Sequence, residues 1–179
     1  MPTPPKAVND RAMDVRLVLM DADGVLTDGR IYVFADGNEA RAYDARDGLA
    51  VRLGQAGGLS FGVVSGRSSP AVAARATELD FVEIHQKVAS KGDCVDQIAR
   101  RRGLEPREIC FIGDDIVDIP AFRRCGLAVA PADAEPEVLS HAHLVGQRAG
   151  GRGILREVVE LILKVRGTWG AASAPYLKE

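Results

Sequence analysis

Short, largely apolar runs alternate with helix-length segments along most of the chain. The runs at residues 15–20, 59–64, 109–112 and 127–130 lack the apolar–polar alternation of a half-exposed strand. Runs that short and that apolar predict strands buried on both faces of a parallel sheet. Weaker runs at 81–84 and 142–145 predict two further strands. Helices are predicted over about 47–56, 70–78, 91–102, 119–124, a short one near Pro136, and 154–165. The last has Ile154, Leu155, Val158, Val159, Leu161 and Ile162 on one broad apolar stripe.

One segment breaks this rhythm. Arg30-Ile31-Tyr32-Val33-Phe34 alternates with period two, Asp36-Gly37 is a hairpin turn signal, and residues 39–43 can supply the return strand. No internal repeat is present. The pattern predicts an α/β fold: one doubly wound, Rossmann-like parallel sheet over residues 15–166, with a β-hairpin inserted at about 30–43. Residues 1–14, with three prolines, read as a loose lead-in without the apolar stretch of a signal peptide. Residues 167–179 read as a tail, either disordered or docked through Trp169 and Tyr176.

Composition narrows the class. The 179 residues are 46% apolar, enough for one sizeable core. The net charge of −2 and pI near 6.0 give no nucleic-acid footprint. No segment is apolar for long enough to span a membrane. Cys94, Cys110 and Cys125 match no metal spacing and predict reduced thiols in a cytoplasmic protein, Cys110 in the core. His141 and His143 lack a third ligand at recognisable spacing and read as surface residues, as does His85.

Chemistry follows the strands. Asp21-Ala22-Asp23-Gly24-Val25-Leu26-Thr27-Asp28-Gly29 follows the first apolar run, Ser65-Gly66-Arg67 the second, and Gly113-Asp114-Asp115, with Asp118 beyond, the run at 109–112. Parallel strands bring all three clusters to the carboxyl edge of the sheet, where such folds bind ligands. There Asp21 can attack while Asp23 handles a proton. Carboxylates gathered at one edge raise one another's pKa unless a cation sits among them, and hard oxygen ligands favour Mg²⁺. Lys91 opens a predicted helix, where the macrodipole disfavours a cation. An anion bound at the same place would account for it. Ala149-Gly150-Gly151-Arg152-Gly153 precedes the last helix and is expected either to bind phosphate through its N–H groups or to be a tight connection.

In this order, Asp21-Ala22-Asp23-Gly24, Ser65, Lys91 and Gly113-Asp114-Asp115-Ile116-Val117-Asp118 resemble the four motifs of the haloacid dehalogenase superfamily of aspartate-nucleophile phosphotransferases. Asp23-Gly24-Val25-Leu26-Thr27-Asp28-Gly29, the hairpin in place of a cap domain, Arg46-Asp47-Gly48 and residues 149–153 resemble its capless branch acting on 2-keto-3-deoxy sugar acid phosphates. The resemblance implies that Asp21 is the nucleophile and Asp23 the general acid–base. It implies that Ser65 and Lys91 hold the phosphoryl group. Mg²⁺ would be held by Asp21, the Asp23 carbonyl and Asp114, with Asp115 and Asp118 auxiliary. The substrate would be an eight-carbon sugar acid phosphate, or alternatively a nine-carbon one. Its sugar and carboxylate would meet Asp44, Arg46, Asp47, Gly48, Arg52, Gly66, Arg67 and Arg75. Ile31, Val33 and Phe34 are too apolar for an exposed edge, so neighbouring hairpins are expected to pair. The resemblance points to a homotetramer, with the tail carrying Trp169 and Tyr176 expected to help close the site. Two departures stand out: Lys87 where relatives often carry glycine, and Leu49-Ala50 where an aromatic or Leu followed by Gly is common.

A receiver-type switch also gathers an acidic pair, a phosphoaccepting Asp, a Ser or Thr and a Lys around Mg²⁺. There the acidic pair lies near the first strand and the Lys comes last. Here Asp114-Asp115 follows Lys91, and Asp23 supplies an acid–base group that a slow switch does not need. A purely structural assembly role leaves this full catalytic set without a purpose.

Overall fold

The computed structural model describes residues 6–177. In chain order the elements are α1 (Lys6–Met13), β1 (Leu17–Met20), β2 (Tyr32–Val33), β3 (Glu39–Ala40), α2 (Ala45–Ala56), β4 (Ser60–Val64), α3 (Pro70–Glu78) and β5 (Glu83–His85). They continue with α4 (Lys91–Arg102), β6 (Ile109–Ile112), α5 (Ile119–Phe122), β7 (Leu127–Ala130), α6 (Pro136–Leu139), β8 (Leu144–Val145), α7 (Ile154–Val165) and α8 (Trp169–Leu177).

Six strands form one sheet in the order β5-β4-β1-β6-β7-β8, and every neighbouring pair is parallel. The central strands β1, β6 and β7 read as unbroken apolar runs because both faces are covered. Val18, Met20, Cys110, Ile112, Leu127 and Val129 pack with α1, α2, α3 and α7 on one face. Leu17, Leu19, Ile109, Phe111, Ala128 and Ala130 pack with α4, α5 and α6 on the other. This is the two-residue strand period realised on two separate cores. After β1 the chain builds outward through β4 and β5, then crosses back to place β6 on the opposite side of β1. The reversal opens a crevice at the carboxyl end of β1, where ligands bind in such sheets.

The hairpin is present but shorter than its pattern suggested. β2 and β3 pair antiparallel with Tyr32 opposite Ala40 and Val33 opposite Glu39, and form their own two-stranded sheet. The turn closes with Phe34 N–H donating to the Asn38 carbonyl and Gly37 N–H to the Phe34 carbonyl.

The structure corrects the reading of the lead-in and selects the docked alternative for the tail. Over Lys6–Met13 the lead-in is helical: α1 buries Val8 and Ala12 against α7 and β7. The tail is also helical and docked. Trp169 lies beneath the cations of Arg156 and Lys164, at 5.1 and 5.7 Å, while Ala172 and Ser173 are buried. α8 packs on α2 and α7 of its own chain. Smaller shifts have local causes. α2 starts two residues early because the Asp44 carboxylate accepts from Arg46 N–H and caps it. β5 starts two residues late because Phe81 N–H donates to Ala76 and closes the end of α3. Cys94, Cys110 and Cys125 are all buried free thiols. Among the described residues, no helix is long and apolar enough to cross a membrane.

Candidate active site

Because β1 lies between β4 and β6, residues following these three strands become neighbours. Asp21 leaves β1 with its N–H donating to the Ile112 carbonyl of β6. Ser65 leaves β4, its N–H bonded to the His85 carbonyl of β5. The loop after β5 folds back as Val88 N–H donates to the Ser65 carbonyl, delivering Lys91 to the same edge. Ser90 caps α4 by accepting from Asp93 N–H, which sets Lys91 as its first residue.

Lys91 is buried, and its Nζ lies 2.9 Å from Asp21 Oδ2 and 2.6 Å from Asp118 Oδ1. Burial works against its charge, yet the carboxylates of Asp118 and Asp21 outweigh it and hold the ammonium above its ordinary pKa. Asp118 is fully buried and has a second task. Its Oδ2 accepts from the backbone N–H groups of Asp114 and Asp115, at 3.1 and 3.3 Å. One side chain thus fixes both the lysine and the acidic loop. The sequence marked it only as auxiliary.

Asp114 faces Asp21 across the crevice. Asp21, Asp114 and Asp118 each place a carboxylate oxygen within 4.8 Å of the others. Burial, then the charges of Asp21 and Asp118, push the Asp114 carboxyl up to about 7. Burial pushes Asp21 up to about 6 against the lowering pull of Lys91. Asp114 Oδ1 is buried without a hydrogen-bond partner. A buried, unpaired oxygen among carboxylates is the donor set of a hard divalent cation. Asp118 has both oxygens engaged, so Asp21 and Asp114 are the side chains free to hold one.

The loop between these groups is shaped by two close approaches. Gly24 sits at φ +91°, and a Cβ there would lie 2.0 Å from Asp114 Oδ2. A Cβ on Gly150 would lie 1.8 Å from the Gly24 carbonyl oxygen. Gly151 N–H donates to the Val25 carbonyl, and Gly150 N–H to Asp133. The glycine segment before α7 therefore braces the Asp21–Gly29 loop from behind. Two of the N–H groups considered for phosphate are already used.

Asp23 is gripped by an arginine that the sequence reading missed. Arg41 Nε lies 2.6 Å from Asp23 Oδ1 and Nη2 lies 3.3 Å from Oδ2. Glu39 and Ser69 accept from Arg41 Nη1, each at 2.8 Å. These partners hold the guanidinium charge firmly. The signal available in sequence was Glu39 and Arg41 two apart on a strand, sharing one polar face.

A cavity of about 420 Å³ opens here, of the size that takes a small metabolite. Asp21, Asp23, Ser65, Gly66, Arg67, Lys91, Asp114 and Asp115 line it, eight of the residues singled out from sequence. Asp115 also caps the turn Ile116–Asp118 by accepting from Ile116 N–H. The other expected substrate contacts lie elsewhere. Asp47 is buried, caps α7 by accepting from Arg156 N–H, and is pushed by burial up to about 6. Gly48 is buried beside the Arg75 guanidinium. Asp44 caps α2 and pairs with Arg46, which also reaches the Arg152 carbonyl. Arg52 pairs with Asp80. Arg75 pairs with Glu78, lies over the Tyr43 ring, and lines a separate groove between α2 and α3. No residue of α8 lines the catalytic cavity.

The histidines sit outside the cavity. His85 pairs with Glu83, His143 Nδ1 accepts from Ala128 N–H, and His141 is exposed. Lys87 adopts φ +57°, a left-handed conformation that favours glycine, which accounts for its being a departure. Leu49 is on the exposed face of α2 and Ala50 on the buried one.

This fold and carboxylate–lysine edge define a class. Residues 68–158 match the family described as haloacid dehalogenase-like hydrolase, and the chain belongs to that family. It is 34% identical to the 3-deoxy-D-manno-octulosonate 8-phosphate phosphatase of Salmonella typhi over 160 residues, which is 89% of this chain and 85% of the relative. The crystal structure of the Yersinia pestis phosphatase of that name superposes with a TM-score of 0.89 at 34% identity, covering 92% of this chain and 89% of that one. The Moraxella catarrhalis enzyme, solved in complex with magnesium ion, phosphate ion and a KDO molecule, gives a TM-score of 0.92 at 31% identity. It covers 94% of this chain and 97% of its own.

Proposed function

We propose that this protein is a Mg²⁺-dependent phosphatase that hydrolyses 3-deoxy-D-manno-octulosonate 8-phosphate through an aspartyl-phosphate on Asp21, in lipopolysaccharide precursor synthesis. The observation that carries the reading is Asp21 beside Lys91 in a cavity that also presents Ser65 and Asp114. The names of the Salmonella and Yersinia relatives, and the ligands named for the Moraxella enzyme, support the eight-carbon substrate and magnesium.

Asp21, Asp114 and the Asp23 backbone carbonyl would hold Mg²⁺. When bound, it supplies charge neutralisation and Lewis acidity at the phosphoryl group. An Asp21 carboxylate oxygen attacks phosphorus as the bond to the sugar oxygen breaks. Asp23 gives its proton to the departing oxygen, then takes one from the water that cleaves the acyl phosphate. Lys91 and Ser65 bind phosphoryl oxygens, and Asp118 keeps Lys91 in place through both steps. Arg67, exposed at the cavity rim, offers a planar fork for the substrate carboxylate.

The protein works in the cytoplasm, as three free thiols suggest, and assembles as a homotetramer through its hairpins. Phosphate release should be seen with the eight-carbon sugar acid phosphate and Mg²⁺, and should stop with a chelator. Asp21→Asn should remain folded with no measurable turnover. An inactive wild-type protein across sugar acid phosphates, or an active Asp21→Asn variant, would refute the reading.

A further inference from the structure

The hairpin does more than present an apolar edge. Glu39 and Arg41 turn inward and join Asp23 and Arg67 in a closed ring of two carboxylates and two guanidinium groups. Arg41 forks onto both oxygens of Asp23, as described above, and shares Glu39 with Arg67, whose Nη2 is 3.1 Å from Glu39 Oε1. The ring closes where Arg67 Nε comes within 3.7 Å of Asp23 Oδ2. The two arginines differ sharply in setting. The Arg41 side chain is wholly buried, whereas that of Arg67 is 55% exposed. Ser69, the cap of α3, takes the remaining contact of Arg41 and ties the hairpin to the body of the fold.

A general acid works only within hydrogen-bond reach of the oxygen it protonates, and a misplacement of about 1 Å can cost about 10²-fold in rate. A carboxylate at a loop turn has two free torsions, which a planar two-point fork removes. A lysine, with a single point of charge, cannot do the same. Resting on the phosphatase reading, we propose that Arg41, carried by the hairpin of the same chain, is a positioning residue that aims Asp23 at the leaving-group oxygen. Arg67, held loosely at the rim, is free to leave the ring for a substrate anion while Arg41 stays. The hairpin thus acts in cis on its own active site.

The test compares kcat/KM for the sugar acid phosphate with that for p-nitrophenyl phosphate in wild type, Arg41→Gln, Arg41→Lys and Glu39→Gln. The sugar alkoxide needs a proton as it leaves; p-nitrophenolate does not. Arg41→Gln should lose about 10- to 100-fold on the sugar acid phosphate but about threefold or less on the aryl ester. KM should change little. Arg41→Lys, which keeps the charge but not the two-point fork, should show most of the same selective loss, and Glu39→Gln a weaker one. Equal losses on both substrates, or no loss, would overturn the proposal. Should Arg41→Gln fail to fold, Arg41→Lys is read by the same criterion. A wild-type protein inactive on both esters would instead remove the phosphatase reading and this inference with it.

Discussion

At the scale of the residue, the decisive fact is how few groups hold the charge in the crevice. Lys91 is the ammonium that Asp21 and Asp118 share, and Asp118 alone joins it to the Asp114-Asp115 backbone. Removing Asp118 would leave Lys91 with Asp21 alone and two loop N–H groups without their acceptor, and an unsatisfied group costs about 1–3 kcal/mol. Asp118→Ala should therefore lower the denaturant midpoint by a corresponding amount as well as abolishing turnover. A stability loss within about 0.5 kcal/mol, the usual range for an indifferent site, would contradict this role. The acidic pair also sets a pH dependence. The Asp21 and Asp114 carboxyls titrate near 6 and 7, above their ordinary value of 3.8, so the folded protein keeps protons that the unfolded chain has released. Their contribution to metal-free stability is complete below the ordinary carboxylate pKa and declines as pH rises through those two values. A divalent cation must displace the same protons, so stabilisation by Mg²⁺ should grow from about pH 5 to about pH 7 and then level off. Thermal melts with Mg²⁺ and with chelator across that range should show it; a flat difference would refute it.

At the scale of the element, the loops owe their shapes to backbone contacts that side-chain chemistry only follows. The segment before α7 was open to two readings, a phosphate cradle or a tight connection, and the close packing of Gly150 on Gly24 favours the connection, which buttresses the loop. Asp47, expected from Arg46-Asp47-Gly48 as a sugar contact, is buried with one oxygen accepting from Arg156 N–H at the start of α7. The loop from β5 to α4 carries a strained point at Lys87. A non-glycine residue in the left-handed region costs roughly 1–2 kcal/mol, partly offset by the unfolded-state entropy of glycine. Lys87→Gly should thus stabilise the protein by ~0.5–1 kcal/mol in chemical denaturation. Destabilisation would mean that Lys87 makes a compensating contact.

At the scale of the whole molecule, the hairpin both reaches its own active site and leaves apolar side chains exposed. Glu39 and Arg41 face the active site, while Tyr32, Val33 and Phe34 are 56%, 70% and 55% exposed. A short strand pair with three consecutive exposed apolar side chains is an edge that natural proteins cover. Sedimentation at micromolar concentration should show a tetramer, and replacing Tyr32, Val33 and Phe34 together by serine should yield monomers. A monomeric wild type would contradict assembly through the hairpin. The α8 helix plays no such outward role for its first half, since Trp169 is spent on Arg156 and Lys164 of the same chain.

Local signals were enough for the strands, the order of the three polar clusters and Lys91, and the carboxylate chemistry, because period and position relative to a strand end are properties of neighbouring residues. That is why Asp21, Ser65, Lys91 and Asp114 were legible before any coordinates: each ends a strand or opens a helix. The helices at both ends were not legible, since α1 and α8 gain their stability from surfaces on α7 and α2 rather than from their own sequence. Nor was the pairing of Arg41 with Asp23, or of Asp118 with Lys91. These contacts join residues 18 and 27 positions apart, and only the fold decides which of many arginines and aspartates meet. Local sequence determined what kind of group stands at the sheet edge; tertiary packing decided what each group faces there.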